Sequence, residues 1–144
     1  MQRTEKPDSE AGAAVIEFAL VAPLLFILAF CIIDLGRAYS TLNQLAASAR
    51  EGARLAAVLD NPASSSSQAQ VRQTVRQFSL RQLGGPPIRD DQIAITFNRA
   101  GGTVTVAVRA YQFQLVTPLA GVAGVRTIPI TRDATFRWER GPIP

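Results

Sequence analysis

The sequence predicts an α+β protein: one long N-terminal helix, a short second helix and a small antiparallel sheet of about three strands. Three observations predict it. An apolar run, Ala11 to Ile33, contains Glu17 as its only charged side chain. A helical stripe of small and apolar residues then continues to Leu59 without a proline. The last third of the chain alternates apolar and polar residues with the period of a strand.

The first ten residues, MQRTEKPDSE, are polar, lack apolar periodicity and are expected to be unstructured or removed. Ala13 to Ile33 is 21 residues, about 31 Å of helix at 1.5 Å per residue, which matches the ~30 Å hydrocarbon thickness of a bilayer. Pro23 cannot donate to the carbonyl of Ala19, so a kink or a loosened turn is expected there. Beyond Ile33, the positions Leu42, Leu45, Ala46, Ala49, Ala53, Ala56 and Ala57 recur at spacings of three and four, one face of a helix. The spacing therefore predicts a single helix from about Ala13 to about Leu59, half of it in lipid. Asp34 and Arg37, three apart where the span should emerge, read as an exposed ion pair worth about 0.3 kcal/mol.

Asp60, Asn61 and Pro62 end that helix, and a Ser-rich connector follows. Ser66 or Ser67 is the expected cap of the second helix, whose apolar face is Val71, Val75, Phe78 and Leu83; Gly84, Gly85, Pro86 and Pro87 end it. Gln92 to Phe97 reads as a strand with Ile93, Ile95 and Phe97 on one face, and Thr103 to Phe113 as a second with Val104, Val106 and Val108 on one face. The connection NRAGG suits a hairpin. Val116 to Val125 reads as an apolar loop or short helix, and Arg126 to Trp138 as a strand that Pro129 interrupts. The organisation is thus a leader over residues 1–12, a span over 13–33, an extramembrane continuation over 34–60 and a small soluble domain over 61–144.

Composition narrows the chemistry. There is no histidine, so His-dependent triads and His-ligated metal sites are excluded, and the single cysteine, Cys31, sits inside the apolar run. No nucleophile and base can be assembled from motifs, so the expectation is a protein that is not an enzyme, with no catalytic residue, metal or cofactor. The formal charge is +4, with twelve arginines against six acids from Thr41 onward. These arginines are scattered over helix, loops and strands without interleaved aromatics. That is the pattern of a solvated basic surface rather than of a nucleic-acid site.

The edge of the apolar run discriminates among processing signals. A lipoprotein signal needs a small residue before its cysteine, and Phe30 precedes Cys31. A secretory signal has a shorter core and a small-residue cleavage site, and neither is found around Ile32, Ile33 and Asp34. Gly12, in contrast, is followed by Ala13, Ala14, Val15, Ile16, Glu17 and Phe18, so cutting after Gly12 would make Glu17 the fifth residue of the mature chain. This is the prepilin pattern. A carboxylate inside a membrane helix costs about 2.5–3.5 kcal/mol at the centre and less near the interface. The amine exposed on Ala13 by cleavage would lie one turn from Glu17, and a neighbouring helix shifted along its axis could supply its own. The plainer reading is that Glu17 marks where the helix enters lipid.

The succession GAAVIEFALVAPLL, IIDLGRAYS and AASAREGARLAAV resembles the TadE-like pseudopilins of the tight-adherence (Tad/Flp) pilus system. The resemblance covers residues 12 to about 58, with a weaker correspondence in the β-rich part. It implies a pilin-like fold and cleavage after Gly12 by a prepilin peptidase that recognises Glu17 and Phe18. The soluble domain is placed outside the cytoplasmic face of the cytoplasmic membrane, and the role is that of a minor pilin or assembly factor for a fibre used in adhesion or secretion. The partners implied are other pilin-like subunits, inner-membrane pilus assembly proteins, the peptidase and the lipid bilayer. Charge does not set the orientation independently, because Arg3 and Lys6 are offset by Glu5, Asp8 and Glu10 while Arg37, Arg50 and Arg54 follow the span. Small residues at Ala46, Ala49, Gly52, Ala53 and Ala56, with Arg50 and Arg54 beside them, suit either a partner helix or this protein's own sheet. Two other readings of the whole are an uncleaved single-pass scaffold and a DNA-uptake pseudopilin with a basic ectodomain.

Overall fold

The computed structural model describes residues 8–80, 86–117, 121 and 124–138. Helix α1 (Asp8–Val58) is 51 residues long, about 76 Å. Helix α2 (Ser65–Leu80) follows, then a 3₁₀ turn at Asp90–Gln92 and strands β1 (Ile93–Asn98), β2 (Thr103–Gln114) and β3 (Thr127–Arg137). The strands form one antiparallel sheet in the order β1-β2-β3, as the alternating segments predict.

The register explains the core. Ile93, Ile95 and Phe97 lie opposite Val108, Val106 and Val104, which face Arg132, Ala134 and Phe136 on the other side. Val104, Val106 and Val108 are fully buried, each such side chain contributing about 1.5–3 kcal/mol relative to exposure. Strict alternation would then turn Tyr111 and Phe113 outward. Instead the β2–β3 register shifts between Val108 and Tyr111, where Ala110 takes the left-handed conformation at φ 50°. The extra residue of this bulge returns Tyr111 and Phe113 to the buried face. Thr131 Oγ1 accepts the Ala110 N–H at 3.2 Å, and the Gln92 and Gln112 amides each donate to the Ala110 carbonyl at 3.1 Å.

Against this face α1 lays Leu45, Ala49, Ala53 and Ala56, all without exposed area. Gly52 is the closest approach: a Cβ built there would stand 2.4 Å from Val75 Cγ2 of α2 and 3.4 Å from Val106 Cγ1 of β2. Only a residue without a side chain lets the two helices and the sheet meet at this height.

Several expectations are corrected. Helix α1 begins at Asp8 rather than Ala13, while its passage through Pro23 as one element is as expected. The cap of α2 is Ser64, whose hydroxyl accepts the Ser67 N–H at 3.2 Å, rather than Ser66 or Ser67; Asn61 closes the preceding turn by accepting the Ala63 N–H at 3.1 Å. Pro129 does not interrupt β3, because β3 is an edge strand paired only with β2 and tolerates a missing donor. The hairpin turn is held by Asn98 Oδ1 accepting the Gly101 N–H at 3.0 Å, with Gly102 at φ 58°. Leu83, Gly84, Gly85, the first seven residues of the leader and most of the apolar connection after Thr117 lie outside the described residues.

Candidate functional site

Gly12, Ala13, Glu17 and Phe18 are all exposed on the first turns of α1. Nothing lies within 4 Å of the place where a Gly12 side chain would stand. Among the described residues Glu17 has no hydrogen-bonding or ion-pair partner. The apolar side chains that follow are bare: Phe18 is 69 % exposed and Leu20 74 %, with Val15, Ile16, Leu24, Phe26, Leu28 and Ile32 comparably open. The most apolar 18-residue window of the helix has a mean hydropathy of 2.7 and is only 6 % buried. An apolar surface of this length that the chain itself does not cover is the surface of a single membrane span.

The span ends at a built structure. Asp34, the first residue after the apolar run, is 5 % exposed, not the exposed partner of Arg37 that its spacing suggests. Its carboxylate accepts the Val116 N–H at 2.9 and 3.0 Å, the Thr117 N–H at 2.8 Å and the Thr117 hydroxyl. Arg37 Nη1 donates to Asp34 at 3.2 Å and to the Gln114 carbonyl at 3.4 Å, and its guanidinium lies 5.3 Å from the Phe113 ring centroid. Burial by itself pushes the Asp34 carboxyl up. The Thr117 hydroxyl, the two amides and Arg37 outweigh it and hold the carboxyl below its ordinary value. The sequence signal was present, a lone acid at the end of an apolar run, but its partners are 82 and 83 residues away.

The small-residue stripe has a different occupant from a partner helix. Ala49, Gly52, Ala53 and Ala56 are buried and Ala46 half-buried, and the groove they form is filled by Val71 and Val75 of α2 and Val106 of β2. The reason is the short connector, which brings α2 straight back along α1. Arg50 and Arg54 remain exposed beside it. Arg54 is paired to Glu51 at 2.6 and 3.0 Å, and those bonds outweigh desolvation to lower the Glu51 carboxyl. Of the other arginines, Arg76 pairs with Asp90 and Arg89 with Asp91, so the positive charge is partly neutralised locally.

At the far end of the helix the Trp138 indole N–H donates to the Leu59 carbonyl at 3.0 Å, and the Trp138 N–H donates to the Gly102 carbonyl at 2.8 Å. The sheet is therefore tied to both ends of the extramembrane part of α1.

Searches of curated proteins and of solved structures return no match to this chain. The match that is found stops within α1 and does not extend to the β-rich part, where a weaker correspondence was expected. The family model described as TadE-like protein matches residues 12–54, so the segment that carries the Gly12/Glu17 junction, the apolar run and Asp34 is similar to that of TadE-like proteins.

Proposed function

We propose that the chain is a pseudopilin of a Tad-type pilus system: a membrane-anchored subunit cut after Gly12, which then associates through α1 with other pilin-like subunits and with inner-membrane assembly proteins. The observation that carries this reading is the Gly12/Glu17 junction at the edge of a bare apolar helix, inside the segment that matches the TadE-like family. Cleavage leaves an amine on Ala13, one turn from Glu17. The soluble domain is placed on the extracytoplasmic side, where such a fibre grows and serves adhesion or secretion. No catalytic role is assigned to it.

The test is the mass of the full chain co-expressed with a prepilin peptidase. Loss of residues 1–12 is expected, together with retention of those residues in Gly12→Val, which meets no neighbour in the fold and so reports processing rather than folding. An unchanged N-terminus in the parent chain would remove the reading. A second reading, an uncleaved single-pass scaffold, is favoured by one observation: α1 passes through Gly12 from Asp8 without a break, whereas a peptidase needs an extended backbone. It predicts that Gly12→Val leaves localisation and assembly of the complex intact.

A further inference from the structure

We propose that the end of the sheet tied to Asp34 is a lipid-contacting surface, in which Val116, Val125 and Ile128 enter the headgroup zone of the leaflet from which α1 emerges and Arg126 meets lipid phosphate. The inference rests on residues 13–33 being a membrane span and goes beyond it to the ectodomain.

Position is the first argument. Asp34 is the residue that follows the apolar run, and its carboxylate holds the Val116 and Thr117 amides at 2.8–3.0 Å. The start of this connection is thereby fixed at the height where the helix leaves hydrocarbon. The Leu115 N–H donates to the Arg126 carbonyl at 3.1 Å, which sets Arg126 and its neighbour Val125 beside Val116 at the same height. Surface chemistry is the second. Val116 is 54 % exposed, Val125 49 % and Ile128 44 %, whereas the other large apolar side chains exposed beyond Tyr39, Val58 and Phe136, are at 42 % and 37 %. The most exposed apolar side chains of the described ectodomain thus gather at its membrane end. Tyr39, 67 % exposed, lies little more than a turn above Asp34, where an amphipathic ring suits the interface. Arg126 is exposed and supplies the cation, as at surfaces that bind anionic lipid. A bilayer is the occupant continuous with the span itself. A protein partner would have to displace it.

The experiment uses the full-length chain in vesicles of phosphatidylcholine and phosphatidylglycerol that contain nitroxide-labelled lipid. A fluorophore is attached in turn to native Cys31, to Val125→Cys and to Ala100→Cys, the latter two in a Cys31→Ser background. Ala100 is in the β1–β2 turn at the opposite end of the sheet. Strong quenching is expected at 31, intermediate quenching with a blue-shifted emission at 125, and none at 100. A label at 125 that behaves like the label at 100 while Cys31 is quenched overturns the lipid surface and leaves the span standing; an unquenched Cys31 label overturns both. Adding Arg126→Gln to the Val125→Cys chain should reduce quenching at 125, and an unchanged value overturns the assignment to Arg126.

Discussion

Asp34 shows how a single side chain can be inverted by its surroundings. A carboxylate 5 % exposed would ordinarily be protonated or expelled, yet here it finds two backbone amides, a hydroxyl and a guanidinium. Removing its charge should therefore be costly. Asp34→Asn presents an amide N–H₂ toward donors, and a loss of about 1–3 kcal/mol is expected for a buried polar partner left unsatisfied. It is measured by thermal or denaturant unfolding of the full chain in detergent, with faster hydrogen exchange at Val116 and Thr117. Because the folded state holds this carboxyl below its ordinary value of 3.8, its contribution is complete above that value and is lost as pH falls through the folded one. The parent chain should lose stability on acidification below about pH 4, and Asp34→Asn should lose less; parallel acid curves for the two would refute the assignment. The sequence showed an Asp at the end of an apolar run, three residues before an Arg, and neither feature names the distant amides that bury it.

At the scale of elements, α1 meets α2 and the sheet at Gly52. A methyl group there must displace Val75 Cγ2 from 2.4 Å, so Gly52→Ala is expected to destabilise the fold by about 1–3 kcal/mol, despite the ~1 kcal/mol by which Ala is the better helix former. In a Val75→Ala background the same substitution should cost distinctly less, and denaturant midpoints of the four variants give the coupling. Equal costs in both backgrounds would show that the contact is not what limits this site. The inward stripe of α1 was legible because small and apolar residues recur at helical spacing. The bulge in β2 was legible too, had parity been followed: the buried apolar positions switch from the even series Val104, Val106, Val108 to the odd pair Tyr111, Phe113. Alternation read only over its first half misses that change.

On the scale of the whole molecule, lengths match. From Asp34 to Val58 α1 rises about 36 Å, and the 12 residues of β2 extend about 37 Å. The sheet thus lies along the entire extramembrane helix, tied at one end by Asp34 and at the other by Trp138. The core does not draw on residues 13–33. A fragment beginning at Asp34 is accordingly expected to fold in water with a cooperative melt, and one beginning at Thr41, which lacks the Asp34 tie, to melt lower; circular dichroism on heating decides it, and a non-cooperative Asp34 fragment would show that the domain depends on its anchor.

The sequence by itself determined the elements, the α+β class, the membrane-length run and the Gly12/Glu17 junction, since each is written in local spacing or in a short succession of residue types. Which partner fills the alanine groove, that Asp34 is buried, and which end of the sheet is tied to the end of the apolar run were settled by the tertiary structure alone. Those outcomes depend on contacts between segments as much as 83 residues apart, and a local period carries no record of what the chain will later fold against it.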